Sequence, residues 1–169
     1  STDQDSQEIM APILNQYEGK IKYSSLKLEK SFDFGKWTLD NSIIYQMINQ
    51  NEDILNLPQF MSRNTLFFSE RIFRNTLAIQ TGLNFKIFSK YYANEYNPLI
   101  SDFHIQNQKK IGSFPLFDFF FNAKIRQTKI FIIAEHINSS FTGNNFYSTP
   151  ESVYRDFGVR FGFKWNLFN

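Results

Sequence analysis

Residues 156–167 read DFGVRFGFKWNL. Phe157, Val159, Phe161, Phe163, Trp165 and Leu167 take alternate positions, and Asp156, Gly158, Arg160, Gly162, Lys164 and Asn166 fill the gaps. Successive side chains of a strand point to opposite faces, so a strict period of two predicts a strand. One face is wholly apolar. The other carries charge and glycine.

The same pattern recurs through the chain. Leu77 to Tyr91 sets Leu77, Ile79, Leu83, Phe85 and Ile87 against Gln80, Gly82, Asn84, Lys86 and Lys90. Phe117 to Arg126 sets Phe117, Phe119, Phe121, Ala123 and Ile125 against Asp118, Phe120, Asn122, Lys124 and Arg126. Trp37 to Ile48 alternates too, with Asn41 and Ile44 out of place, one on each face. Met61 to Phe73 sets Leu66 and Phe68 against Arg63, Thr65, Ser69 and Arg71. Lys129 to Asn138 is nearly continuous in apolar residues at its centre, which leaves its facing open. Ile21 to Phe32 is the weakest segment, with an apparent shift of register at Ser24-Ser25. These make seven predicted strands of ten to fifteen residues, long beside the usual five or six.

The links alternate in length. Short ones fall at Asp33-Phe34-Gly35, around Arg74-Asn75 and around Arg126-Gln127-Thr128; long ones run from Asn49 to Gln59, Tyr92 to Ser113 and Ser139 to Ser152. An up-and-down meander would therefore gather every tight turn at one end and every long loop at the other, the asymmetry of transmembrane β-barrels. Spanning takes about 9–11 residues per strand at a tilt of about 45°, and lipid demands a closed sheet. Aromatic residues near strand ends (Trp37, Tyr45, Tyr91, Tyr92, Tyr154 and Trp165) suit the headgroup level. A soluble barrel or sandwich also alternates, but it would bury its apolar face with shorter strands and less need of phenylalanine.

Composition narrows the function. The chain has 169 residues, 18 Lys plus Arg, 16 Asp plus Glu and a formal charge of +2. That small excess gives no reason to expect nucleic acid. Phe occurs 21 times, against seven Gly and five Pro, so the chain is not disordered. With no cysteine, disulfides, zinc–thiolate sites and thiol catalysis are excluded. Mean hydropathy is −0.37, and no run approaches the roughly 18 apolar residues of a membrane helix. No signal peptide stands at the start, which is polar and acidic from Ser1 to Glu8.

Little points to catalysis. Glu135 and His136 are adjacent, so on a strand they point to opposite faces, and a strand-end pair that orders a loop explains them better than a hydrolase does. His104 and His136 are the only histidines and have no ligand spacing. The acids Asp33, Asp40, Glu70 and Asp118 are scattered, and no glycine-rich phosphate loop occurs. No enzyme and no cofactor are expected.

Several stretches together resemble the C-terminal portion of the outer-membrane "putative porin" family of Bacteroidota. They are Asn56-Leu57-Pro58-Gln59-Phe60, Arg63-Asn64-Thr65-Leu66, Gln80-Thr81-Gly82, Lys109-Lys110-Ile111-Gly112, Phe119 to Lys124, Glu135 to Gly143, and Tyr154-Arg155-Asp156-Phe157 leading into Arg160-Phe161-Gly162. The likeness covers roughly Lys20 onward. It implies a single-chain outer-membrane barrel that passes solutes, in proteins considerably longer than this one. Bacterial single-chain barrels have even strand numbers, so seven strands would be the C-terminal part of a larger barrel. The expected organisation is a lead-in over residues 1–19 and barrel strands over 20–169.

The reading is thus all-β: an antiparallel up-and-down transmembrane β-barrel in the bacterial outer membrane, allowing passive diffusion of small hydrophilic solutes. Lys86, Lys90, Asp118, Lys124, Asp156, Arg160 and Lys164 are the pore-lining candidates. Their positive excess would favour anions, or they would form ion-pair ladders along the wall. Gly158 and Gly162 would leave room for larger neighbours. Trp165 and Phe168 are candidates for the aromatic signal read by the barrel-assembly machinery. Expected partners are outer-membrane lipid, that machinery, and another copy or complex subunit. The rival readings are a nonconducting structural barrel in a secretion or uptake complex, and a soluble barrel holding a lipophilic ligand.

Overall fold

The computed structural model describes residues 19–99, 101–142 and 146–166. Seven long strands carry the fold: β1 (Lys22–Phe34), β2 (Trp37–Asn49), β3 (Phe60–Ile72), β4 (Leu77–Phe88), β9 (Leu116–Ile125), β10 (Thr128–Glu135) and β11 (Gly158–Trp165). Four short strands lie in the loop after β4: β5 (Tyr91–Tyr92), β6 (Glu95–Asn97), β7 (Asp102–His104) and β8 (Lys110–Ile111). They form two small hairpin-like pairs, β5 with β8 and β6 with β7. A four-residue helix, α1 (Ser139–Thr142), follows β10.

The long strands make one sheet in the order β1-β2-β3-β4-β9-β10-β11, with every pairing antiparallel. Each long strand thus pairs with its predecessor and successor among the seven, which is the predicted meander. The turns Gly35-Lys36, 73–76 and Arg126-Gln127 share one end, while 50–59, 89–115 and 136–157 share the other. Among the described residues the sheet is open: β1 and β11 have one neighbour each.

Register fixes the faces, because directly paired residues lie on the same side of a sheet. One row runs Leu28, Ile43 and Ser62 to Ile87; another runs Phe32, Leu39, Leu66, Leu83, Phe119, Ala134 and Val159. Toward the tight turns, Ile79, Ala123, Ile130 and Phe163 align, then Leu77, Ile125, Thr128 and Trp165. The apolar faces of all seven strands therefore merge into one surface. This settles β10: Ile130, Ile132 and Ala134 join the apolar side, and Phe131 and Ile133 the polar side.

That apolar surface carries exposed large side chains on every long strand, whereas loops bury part of the polar one. Phe161 is 83% exposed, Phe163 75% and Trp165 60%, whereas Gln46 and Asp118 on the polar face are 5% and 8% exposed. A soluble sheet has the opposite arrangement. Among the described residues, four of the five buried apolar side chains, Ala93, Ile111, Phe114 and Leu116, lie where loops cover the polar face near the long-loop end; the fifth, Ala123, is in the apolar row near the tight turns.

Some strand ends differ from the sequence reading. β10 stops at Glu135 rather than Asn138, because His136 takes a left-handed backbone (φ 52°) that ends the pleat. β11 begins at Gly158, so Asp156 and Phe157 precede it. β4 ends at Phe88, and Lys90 lies between it and β5. The expected register shift at Ser24-Ser25 is absent: β1 pairs with β2 without a break from Lys22–Asn49 to Phe34–Trp37. Of the predicted features, most of the 1–19 lead-in, Leu167 and Phe168 lie outside the described residues.

Candidate functional site: the polar face and its loops

The polar face is built from the second member of each alternating pair. Near the tight turns, Arg71 and Ala78 pair, Ala78 pairs with Lys124, Lys124 with Lys129, and Lys129 with Lys164. Two residues further along lie Ser69, Gln80, Asn122, Phe131 and Gly162. Nearer the long loops come Thr65, Asn84, Asp118, Glu135 and Gly158. On β1 and β2 the side-chain pairs Ser31–Asp40 and Asp33–Thr38 hydrogen-bond across the strands.

Charges toward the long loops are joined in a network. Lys86 Nζ lies 2.6 Å from Asp118 Oδ2. The other carboxylate oxygen of Asp118 accepts the His136 backbone N–H at 3.0 Å. The left-handed turn at His136 aims its ring the same way, and Nδ1 donates to the Arg155 carbonyl at 2.8 Å. Arg155 and Arg160 both reach Glu135, at 3.2 and 2.5 Å. Glu135 and His136 therefore tie the 136–157 loop to the wall, as a loop-ordering pair would. Three cations thus share two carboxylates, which cancels most of the charge and leaves a single positive excess.

Aromatic packing completes the loop cover. The Phe114 ring lies 4.4 Å from that of Phe146, 5.3 Å from Phe88 and 5.6 Å from Tyr154, with His136 5.4 Å from Tyr154. Phe88 belongs to the polar face of β4, so the cluster lies over that face rather than outside the sheet. Burial, the largest influence, raises the Tyr154 phenol above its ordinary pKa. Lys109 Nζ sits 3.5 Å from the Tyr147 ring centroid, joining the 89–115 loop to the 136–157 loop. The sequence placed Tyr154 among interface aromatics; the structure packs it inward. Trp37 and Trp165, at strand ends beside tight turns, stay exposed on the apolar face.

The seven pore-lining candidates divide into three groups. Lys86, Asp118 and Arg160 are in the ion-paired network. Lys124 and Lys164 stand in the row near the tight turns, with no carboxylate within ion-pair distance among the described residues. Lys90 and Asp156 lie outside the strands and are exposed. Sequence reasoning missed Arg71 and Lys129 as members of that row and Glu135 as a wall residue. The alternation had placed Arg71 on the polar face; its neighbours emerge only from the register. Over the crowded part of the wall, a Cβ built on Gly162 would lie 2.6 Å from Phe131 Cζ, so the glycine makes room for that ring. Around Gly158 the nearest atom is 4.0 Å away. No group of metal-ligating side chains occurs among the described residues.

The family described as "Putative porin" matches residues 3–169. No curated protein and no solved structure gives a significant match.

Proposed function

The chain belongs to the "Putative porin" family, and from that premise we propose that it forms the C-terminal part of an outer-membrane β-barrel that passes small hydrophilic solutes. One observation carries the reading. The continuous apolar face carries exposed large side chains on every long strand, from Leu28 (58%) to Phe161 (83%), whereas the buried polar side chains Gln46 and Asp118 (5% and 8%) lie on the other face, under the loops. Lipid outside and water inside would satisfy both faces. Closure needs further strands beside β1 and β11, because an open edge leaves backbone groups unsatisfied in hydrocarbon.

Solutes would move by diffusion along the polar face and past the loops 89–115 and 136–157, which narrow the long-loop mouth. The lining candidates Lys86, Lys124, Arg160 and Lys164, with Asp118, would set its field; Lys90 and Asp156 would act at the mouth. Trp165, with Phe168 beyond the described residues, would serve the barrel-assembly machinery. No catalytic role is assigned, and the family name is one of transport.

The same loop cover favours a second reading, a plugged structural subunit of an outer-membrane complex. Purified full-length protein in planar bilayers separates the two: stepwise conductance supports the porin. A heat-dependent gel shift without conductance supports the plugged barrel. Absence of both would sink the barrel itself.

A further inference from the structure

We propose that Arg71, Lys124, Lys129 and Lys164 form a binding site for a small, soluble, multivalent oxyanion at the tight-turn end of the polar face. The proposal rests on the porin reading only in taking that face to be water-filled.

The argument starts from register. Lys124 is directly opposite Lys129, and Lys129 directly opposite Lys164. Arg71 is reached across Ala78. Adjacent strands lie about 4.8 Å apart, so three lysines stand in consecutive lanes with an arginine two lanes beyond. Like charges directly opposite one another destabilise a sheet. Several other wall charges are paired: Lys27 with Glu29, Lys86 with Asp118, Arg155 and Arg160 with Glu135. Arg63, opposite Lys86, is a single cation with no ion pair among the described residues rather than part of a row. None of the four row members has a carboxylate within ion-pair distance among the described residues. The nearest acids on the polar faces of β9 and β10 are Asp118 and Glu135. Each lies six residues along its strand, roughly 20 Å away, and is engaged by other cations. Glu70 adjoins Arg71 in sequence but faces the other way and pairs with Lys36.

Space and hydrogen bonding fit an anion. An open cavity of about 720 Å³ lies against the row: the four cations border it with Gln80 and Asn122, and Phe131, Ile133 and Glu70, whose carboxylate is paired with Lys36, also line it. Ala78, small where its neighbours are long, opens the floor. Gln80 and Asn122 supply neutral amide donors one step inward. A single charge would leave most of the row unneutralised. Two or three oxyanion charges, as phosphate-like or polycarboxylate solutes carry, would neutralise half or more of its four. The row lies on the face opposite the apolar one, which favours a dissolved anion over a lipid headgroup.

The test uses full-length protein in neutral detergent and sodium pyrophosphate as probe, by calorimetric titration at low salt. We expect binding that weakens as salt rises, and at least tenfold weaker binding in Lys124→Gln/Lys129→Gln. Arg74→Gln removes one charge at the same end but off the row, and should bind within twofold of wild type. Lys164→Gln alone should weaken binding severalfold, which covers misfolding of the double variant. Without ligand, Lys129→Gln should melt higher than wild type, because its loss relieves repulsion. Phosphatidylglycerol in the micelles should leave the affinity unchanged.

No pyrophosphate binding, an Arg74→Gln loss as large as that of the double variant, or displacement by phosphatidylglycerol would each overturn the site. The last would assign the row to lipid headgroups. Binding without bilayer conductance would leave the site standing and remove the porin reading; conductance without binding would do the reverse.

Discussion

Gly158 and Gly162 share a face of β11, yet only Gly162 is crowded. A methyl group there meets the Phe131 ring at 2.6 Å, closer than packed carbons approach. Gly162→Ala should therefore lower the melting stability of detergent-solubilised protein by about 1–3 kcal/mol, the usual range for overpacking. Gly158→Ala should stay within about 0.5 kcal/mol. Shortening the ring with Phe131→Leu should recover part of the Gly162→Ala loss. Equal melting of the two alanine variants would mean that Phe131 moves aside freely. Gly35 tests a different term. Its φ is +66° and nothing lies within 4 Å of a built Cβ. Gly35→Ala should then cost about 1 kcal/mol through backbone conformation alone.

Where β9 and β10 meet the loops, one carboxylate holds two elements. Asp118 accepts the His136 N–H and pairs with Lys86. Asp118→Ala orphans both and should cost about 1–3 kcal/mol, with faster proteolysis in the 136–157 loop. Asp118→Asn keeps a carbonyl for His136 and should fall between the two; proteolysis unchanged in Asp118→Ala would deny the tether. Period-two alternation revealed these strands and the facing of β2, β3, β4, β9 and β11, because each side of the sheet meets a different environment; link lengths gave their order, and only pairing register settled the facing of β10. It overran the strand ends. Alternation continues through Asp156-Phe157, although the backbone there has no strand pairing. It missed the stop in β10, which comes from a left-handed residue, His136, that has no distinctive one-letter signature. Lys86, Asp118 and Arg160 were legible as polar-face residues, but their partners were not. Arg71, Lys124, Lys129 and Lys164 come from four strands, and only pairing register sets them side by side.

Across the whole molecule, two loops from different strand pairs meet over the polar face and carry a proton-sensitive contact. The hydrogen bond between the side chains of Glu151 and Glu95, together with their charge repulsion, raises the Glu151 pKa above its ordinary 4.5. Lys109 and His104 pull the other way, and His104 Nε2 lies 3.4 Å from Glu95 Oε2. A carboxyl whose pKa is raised by loop contact holds its proton more tightly when the loops are together. By linkage, its contribution to docking is fully present below pH 4.5 and is lost as pH rises through the raised value. Proteolysis of the 89–115 and 136–157 loops in the full-length protein should therefore accelerate as pH rises from below 4.5. In a conducting barrel the open state should gain lifetime over the same range. Glu151→Gln supplies a permanent amide donor to Glu95 and should keep the slow, acid-like rate at higher pH. If wild type and Glu151→Gln follow one curve, this contact does not hold the loops, and the aromatic cluster of Phe114, Phe146 and Tyr154, with Lys109 over Tyr147 and the His136 tether, sets how far the long-loop mouth is covered.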